Sequence, residues 1–220
     1  MKTAELLLQY EQPLPLRRAY HGREELGLEL QALLSYDILP EMEIWVIGAF
    51  KGKTLKVLHE LFQPAVLRAF DPQPHSFEHL SELGIADLVA FPFALGDHTA
   101  LLPMRELGND GCSFYGGDGV LSSFNGDRDV SEQRFPMIDI KDQWSGQLLS
   151  LVLLNCEGSE YMLLPRMKEC GMLEATKYLL VQYHDHVASD EEWHSIAQMM
   201  LITHVPTFVH WPAWVSWGHR

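Results

Sequence analysis

Cysteine is scarce in this sequence, and the spacing of the few cysteines marks no metal site. Cys112, Cys156 and Cys170 are an odd set of three without a CxxC pair. Such a set is typical of a protein in a reducing compartment, and it carries no zinc signature. We therefore expect a cytoplasmic protein that needs neither a disulfide bond nor a structural metal.

Basic residues and long apolar runs are also in short supply. The chain has 16 lysines and arginines against 30 acidic residues, so its formal net charge is −14. A nucleic acid backbone or an anionic membrane binds a concentrated basic surface, which this balance disfavours. No apolar stretch reaches the roughly 18 residues that a membrane helix needs. We expect neither nucleic acid nor a membrane as the main partner.

What the sequence does contain is a regular alternation of two patterns. Short apolar runs typical of strands are separated by segments with helical spacing, and Ser76, Ser189 and Gly171 stand at helix ends as two caps and a stop signal. The predicted strands span residues 43–50, 65–72, 87–97, 148–158 and 177–186, and the predicted helices span 52–62, 75–83, 159–170 and 190–202. This alternation predicts an α/β fold with a mostly parallel central sheet and helices on both faces.

The flanks and the middle of the chain are less regular. We predict an N-terminal helical segment over residues 1–40, ahead of one domain over 41–220. After a further short strand at 99–104, residues 108–129 are loop-like and form either a substrate-facing lid or a disordered insertion. The tail from Thr203 is rich in β-formers and predicts a closing antiparallel pair. Its spaced tryptophans either pack in the core or form an aromatic wall for an acceptor, and the tail also offers a surface for a homodimer.

The stretch WVIGAFKGKT, residues 45–54, joins the first predicted strand to the first helix. Its glycines, Gly48 and Gly52, lack a Cβ, so the backbone is free to turn sharply and to approach a ligand closely. From Gly48 to Lys53 the spacing is one residue short of the phosphate-binding GxxxxGK[ST] pattern, and the three-glycine dinucleotide pattern is also absent. The loop therefore disfavours a nucleoside triphosphate enzyme.

The residues that follow each strand are the candidate ligand contacts, because ligands bind beyond the carboxyl ends of the strands in parallel sheets. In this sequence they are residues 48–52, 71–74, 94–97, 155–160 and 184–186. Asp71 is the most informative of them, since a carboxylate at the end of the second strand is placed to accept two hydrogen bonds from a ribose diol. The alternative interpretation is a carboxylate that caps a turn or the following helix.

Four segments together resemble a known family. VIGAFKG (46–52), AFDPQPHSFEHL (69–80), FALGD (93–97) and LLNCEGSEYMLL (153–164) are similar, in order and spacing, to motifs of the FkbM-type methyltransferases. The resemblance covers roughly residues 43–186. It implies a Rossmann-like class I methyltransferase fold, and methyl transfer from S-adenosylmethionine (SAM) to a hydroxyl of a small molecule, a sugar or a natural product.

The resemblance also implies which residues hold the cofactor. It assigns the ribose to Asp71 and the border of the adenine to Phe93 and Ala94. The full set that it implies for SAM is Gly48, Ala49, Gly52, Asp71, Gln73, Phe93, Ala94 and Asn155.

Three positions depart from the family pattern. Val46 and Leu153 stand where the family usually has an acid and a lysine, and Asn155 stands where it has an aspartate, whereas Glu157 and Glu160 are retained. Asn155 is still able to accept a hydrogen bond from an ammonium group, but it contributes no charge. These departures support two alternatives: a binding or scaffold protein that kept the fold without the activity, or a pocket for another adenosine-containing ligand.

Residues for the chemical step follow the fourth and fifth long strands. Methyl transfer needs an aligned acceptor oxygen and the exclusion of water, and it needs a base when the hydroxyl has a high pKa. His184 is the candidate base and Glu157 the residue that orients it; the alternative is a histidine that only packs. His184 and His186 share one side of a strand and together suit a metal ion, but no third ligand is fixed by spacing, so we predict no metal site.

Overall fold

The computed structural model describes residues 32–108, 111–113, 130–184, 188–210 and 214–220. Within these residues the strands are β1 (Glu43–Ile47), β2 (Val66–Phe70), β3 (Leu88–Phe91), β4 (Ala94–Gly96), β5 (Ala100–Gly108), β6 (Gly111–Ser113), β7 (Val130–Asp139), β8 (Leu149–Leu154), β9 (Thr176–Gln182), β10 (His204–His210) and β11 (Trp214–His219). The helices are α1 (Lys53–Phe62), α2 (Pro74–Ser81), α3 (Ile140–Gln143), α4 (Glu160–Cys170) and α5 (Asp190–Met200).

A seven-stranded sheet in the order β10-β11-β9-β8-β1-β2-β3 forms the centre of the fold. The pairs β9–β8, β8–β1, β1–β2 and β2–β3 are parallel. β11 is antiparallel to both of its neighbours, β9 and β10. The sheet therefore confirms the predicted mostly parallel α/β fold with an antiparallel closing pair at one edge.

The central strands are buried on both faces, which explains why their sequences are apolar without alternation. All six residues of β8 are buried. Successive residues of β1 point to opposite sides: Trp45 and Ile47 join one core cluster, whereas Ile44 and Val46 join the other. The helices α4 and α5 cover the first face, and α1 covers the second with an apolar stripe.

Helix ends follow their local sequence with one exception. α5 begins after Ser189, whose side chain accepts from the Glu192 amide in a reciprocal capping box, and α4 ends at Gly171 with φ 84°. Ser76 is not the cap that we predicted for α2. That helix begins at Pro74, because proline suits the first helical position, and Ser76 lies inside the helix with its side chain buried.

A second, four-stranded sheet in the order β4-β7-β5-β6 differs from the sequence prediction. The predicted strand at 87–97 is divided into β3 and β4, which belong to different sheets, because Pro92 between them has no amide proton for a ladder. Part of the predicted loop is the strand β6, while residues 109–110 and 114–129 lie outside the described part. Arg166 of α4 joins that helix to the end of β7 through a bidentate pair with Asp139, at 3.0 and 2.5 Å.

The predicted helical segment at 1–40 lies mostly outside the described residues. Its described part contains a 3₁₀ turn at Ala32–Ser35. In the tail, Trp217 is fully buried in the core, as the packing interpretation requires, while Trp211 is not among the described residues. None of the described helices is long and apolar enough to cross a membrane.

Candidate functional site

The carboxyl ends of β2, β1 and β8 are joined by backbone hydrogen bonds into one rim. The amides of Gly48 and Ala49 donate to the carbonyl of Phe70 at 2.9 and 3.2 Å, and the amide of Asn155 donates to the carbonyl of Ile47 at 3.0 Å. The loop after β1 is therefore tied to both neighbouring strands. This rim brings the predicted residues 48–52, Asp71 and Asn155 together.

Both glycines of the first loop are required by protein packing. Gly48 has φ 84°, and a Cβ at this position would lie 1.8 Å from the carbonyl oxygen of Asn155. Gly52 has φ 76°, and its Cβ would lie 2.4 Å from Cδ1 of Leu83. The space that each missing Cβ leaves is thus filled by protein atoms, and a contact of these glycines with SAM stays a prediction.

Asp71 lies just beyond β2 and is held in a fixed orientation. Its carboxylate accepts from the Phe50 amide at 2.7 Å and from the Gln73 amide at 3.0 Å, and the residue is 3% exposed. Burial raises the pKa of the Asp71 carboxyl, and these two hydrogen bonds oppose the rise. A carboxylate oxygen accepts more than one hydrogen bond, and the Ser76 hydroxyl also lies next to this group. A contact of this carboxylate with a ribose diol stays a prediction.

The residues predicted to border the adenine follow β3. The Phe93 ring lies 5.9 Å from that of Phe70 and 5.4 Å from that of Phe91, and the half-buried Phe93 packs at the edge of the core. Ala94 is the first residue of β4. Both residues therefore follow β3, which pairs with β2, and their contact with the adenine stays a prediction.

Asn155 presents a polar atom without a partner in the described structure. Its side-chain oxygen is buried and accepts no hydrogen bond from the described residues. A buried acceptor left in this state costs roughly 1–3 kcal/mol. Such an atom fits a donor group from a ligand, and the predicted ammonium contact of Asn155 is of this kind.

The turn between β8 and α4 is organised by Glu160, to which sequence analysis assigned no role in the site. Its carboxylate, fully buried, accepts from the Cys156 amide at 2.6 Å and from the Gly158 amide at 2.8 Å. Between these amides Glu157 has φ 53°, a left-handed conformation that is unusual for glutamate. The signal in the sequence was a carboxylate in the first turn of a helix, where the free amides attract negative charge.

The predicted catalytic pair is brought together in the structure. Nε2 of His184 lies 3.3 Å from a carboxylate oxygen of Glu157, and Nδ1 lies 3.3 Å from Glu160. The His184 side chain is 7% exposed and that of Glu157 is 33% exposed. Glu157 is therefore the member of the group that a ligand reaches most easily.

The two apolar departures from the family pattern are neighbours. Val46 and Leu153 are register partners on β1 and β8, and they are 1% and 2% exposed. Both belong to the core cluster under α1. The positions where the family usually has an acid and a lysine thus hold one apolar pair inside the core.

His204 lies far from the site. His204 is buried at the start of β10, and its Nε2 donates to the Thr176 carbonyl at the amino end of β9, the opposite end of the sheet. His186, with Asp185, lies outside the described residues. Within the described part of the chain, no group of three or more histidine, cysteine or acidic side chains is placed to hold a metal ion.

The strand order, with its single antiparallel strand next to the sheet edge, is that of a class I methyltransferase fold. The structure is similar to a methyltransferase FkbM from Methylobacillus flagellatus KT, with a TM-score of 0.55 and 12% identity over 97% of this chain. This chain spans 50% of that protein's length. The resemblance predicted from the motifs is therefore confirmed at the level of the fold.

Two further methyltransferase structures are less similar. For an rRNA methylase from Streptococcus thermophilus the TM-score is 0.44 and the identity 11%, with 83% of this chain and 89% of that chain covered. For the plantazolicin methyltransferase BpumL in complex with SAH, the TM-score is 0.36 and the identity 14%, with 71% and 48% covered. No family model matches the sequence, and no curated protein matches it.

Proposed function

We propose that this protein is a SAM-dependent O-methyltransferase that acts in the cytoplasm on a hydroxyl of a small molecule, a sugar or a natural product. The observation that carries the proposal is the buried Asp71 carboxylate at the carboxyl end of β2, held by two backbone amides. Carboxylates with a raised pKa, as burial gives Asp71, cluster at functional sites.

The described residues fit the cofactor at two points. A carboxylate such as that of Asp71 suits the two hydroxyls of a ribose, because each oxygen accepts more than one hydrogen bond. The partnerless amide oxygen of Asn155 suits one N–H of the methionine ammonium group. We expect Phe93 and Ala94 to border the adenine, and Gln73 contributes the amide that orients Asp71.

When bound, SAM supplies an electrophilic methyl group on a sulfonium sulfur. The chain's own residues have to align the acceptor oxygen, exclude water and take up the hydroxyl proton. Glu157 and His184 form the group that takes up the hydroxyl proton. They meet beyond the carboxyl ends of β8 and β9, and Glu157 is the more exposed of the two.

Calorimetry with purified protein tests the proposal. We expect SAM and its demethylated product to bind, and Asp71→Asn to weaken binding by roughly 10- to 100-fold, because a hydrogen bond to a charged group is worth about 1.5–3 kcal/mol. The matched control is Asp87→Asn, an exposed carboxylate before β3, which should bind as the unchanged protein does. No binding of either ligand at millimolar concentration would refute the proposal.

A binding or scaffold protein without activity is the second candidate, and the apolar pair Val46–Leu153 favours it. That candidate requires that neither SAM nor its product binds. The same calorimetric experiment therefore separates the two, and detection of either ligand in the purified protein would exclude the scaffold.

A further inference from the structure

Ser76 lies in the first turn of α2 and brings a hydroxyl group into the interior of the protein. The residue is fully buried, and its side-chain oxygen makes no hydrogen bond within the described part of the chain. Buried hydroxyls in proteins nearly always have a partner, because an unpaired one has lost its contacts with water and gained none. The position of Ser76 therefore asks for a partner close by.

The polar group beside the Ser76 hydroxyl is the carboxylate of Asp71, which is itself only 3% exposed. The amides of Phe50 and Gln73 each donate to one oxygen of this carboxylate, at 2.7 and 3.0 Å. A carboxylate oxygen accepts more than one hydrogen bond, and the proton of a hydroxyl rotates to suit its partner. Asp71 and Ser76 are therefore matched as acceptor and donor.

The direction of a hydrogen bond between the two decides the charge of Asp71. Burial raises the pKa of the Asp71 carboxyl and favours the protonated form, which would donate to the Ser76 oxygen. A hydroxyl that donates acts in the opposite sense, because it stabilises the ionised form. The two backbone amides are only able to donate, so they favour the ionised form as well. We therefore expect the Ser76 hydroxyl to donate.

The charged side chains near Asp71 come from α2 and from the first loop. His75 of α2 acts on the charge of Asp71 through space. On the first loop, Nζ of Lys51 lies 4.8 Å from the centroid of the Phe50 ring. From β3, the Phe91 carbonyl accepts from the Asp71 amide at 3.2 Å, and the residues of β3 carry no titratable side chain. His75 is therefore the group whose charge an experiment has to hold constant.

We propose that Ser76 is a positioning residue for Asp71, whose carboxylate it holds ionised and oriented by donating its hydroxyl hydrogen bond from α2. This inference rests on the proposed function, in which Asp71 accepts from a ribose. Three donors then surround one carboxylate, from the first loop, from the turn after β2 and from α2. An ionised carboxylate held in this way stays an acceptor, as the two hydroxyls of a ribose require.

¹³C NMR of protein labelled at its aspartate carboxyl groups tests the direction of the bond, without SAM or an acceptor. Asp71→Asn identifies the signal of Asp71 by its loss. All variants carry His75→Gln, so that no change in the charge of His75 enters the titration. We expect Ser76→Ala to raise the pKa of Asp71 further, because the ionised carboxylate loses a donor.

Ser81→Ala is the matched control. Ser81 lies on the same helix, is exposed, and donates its hydroxyl hydrogen bond to the Glu78 carbonyl at 2.7 Å. This variant should leave the pKa of Asp71 unchanged. A lower pKa of Asp71 in Ser76→Ala would mean that Asp71 donates to Ser76, and an unchanged pKa would mean that Ser76 only packs. Either result would overturn the inference.

Urea unfolding at neutral pH gives a second test. Alanine is smaller than serine and a good helix former, so Ser76→Ala should fold. Relative to Ser81→Ala, which carries the same change in helix propensity, it should lower the free energy of unfolding because a hydrogen bond is lost. A higher free energy of unfolding would show that the hydroxyl of Ser76 is buried without a partner, and would contradict the proposal.

Calorimetry with SAM separates this inference from the proposed function. We expect Ser76→Ala to weaken SAM binding by roughly 10-fold, through the orientation of Asp71. Absence of SAM binding in the unchanged protein, together with a raised pKa of Asp71 in Ser76→Ala, would refute the proposed function alone. SAM binding together with an unchanged pKa would refute the role of Ser76 alone.

Discussion

The Asp71 carboxylate is 3% exposed, and burial raises its pKa above the value in an unfolded chain. The native state therefore holds the proton more tightly than the unfolded state does. As the pH rises through the folded pKa, ionisation of Asp71 costs stability, and this cost is present at neutral pH. The two backbone amides reduce the cost but do not remove it. A ligand that donates hydrogen bonds to the carboxylate would recover part of this energy.

Gly48 should tolerate no side chain, because two separate penalties meet there. An alanine at φ 84° costs roughly 1–2 kcal/mol in backbone conformation. The Cβ at 1.8 Å from the Asn155 carbonyl adds the cost of moving β8 away, roughly 1–3 kcal/mol. We expect Gly48→Ala to lower the free energy of unfolding in urea by the sum of the two.

Gly84→Ala is the matched control for this prediction. Gly84 has φ 68°, and a Cβ there would meet no atom within 4 Å. This variant should therefore show the conformational cost alone. Equal losses for the two variants would mean that the contact between Gly48 and Asn155 contributes nothing.

Sequence analysis could place Asp71, Asn155 and His184 near one another, because each follows a strand and parallel strands end at one edge. It could not show that the Cβ spaces of Gly48 and Gly52 are filled, since neither Asn155 nor Leu83 is close in the chain. The role of Glu160 was hidden for a related reason. A glutamate in the first turn of a helix is common. The role of Glu160 in the site becomes clear only from its position relative to His184 in the structure.

β1 and β8 meet through Val46 and Leu153, which face each other in register inside the core. A lone charge at either position would be buried without a partner and would cost about 3–5 kcal/mol. We therefore expect Val46→Asp and Leu153→Lys each to be strongly destabilising. The double variant should lose clearly less than the sum of the two, because the new charges are neighbours. A double-mutant cycle from urea unfolding measures this coupling.

Leu151→Lys provides the control for the pair. Leu151 lies on the same face of β8 but is in register with Ile44. In a double variant with Val46→Asp, Leu151→Lys should offset less of the loss in unfolding free energy than Leu153→Lys does. Additive losses in both combinations would show that Val46 and Leu153 are independent substitutions.

The elements that could be predicted from sequence are those whose pattern is set by burial alone. β8 is buried along its full length, and α1 carries a clear apolar stripe, so short runs and helical spacing identify them. β7 was missed because its identity depends on distant partners: it pairs with β5 and β4. Its sequence also includes Pro136, which argues against a strand when it is considered alone.

The stability of the whole molecule should depend on pH through His204. Burial lowers the pKa of His204 from 6.5 to about 4. Between these values the unfolded chain binds the proton and the native state does not, so stability is lost as the pH falls from 6.5 to 4. The loss from this residue is roughly 3 kcal/mol. Urea unfolding across this range, compared with His204→Gln, measures it.

His79→Gln is the reference variant for this series, because His79 is exposed on α2. Its stability should follow that of the unchanged protein at every pH. His204→Gln should lose less stability on acidification. The glutamine that replaces His204 beside Thr176 does not titrate in this pH range. Parallel curves for all three proteins would show that other groups dominate the acid response.

The position of β11 has a consequence for how the sheet assembles. β11 lies between β9 and β10, although both precede it in the chain. Within the described residues β10 has no sheet neighbour other than β11, so it has no place in the sheet until β11 has paired with β9. That pairing brings Trp214 to Gln182 and is a non-local, slow type of contact. The spatial order of the strands at this edge thus differs from their order in the chain, and β10 enters the sheet only through β11.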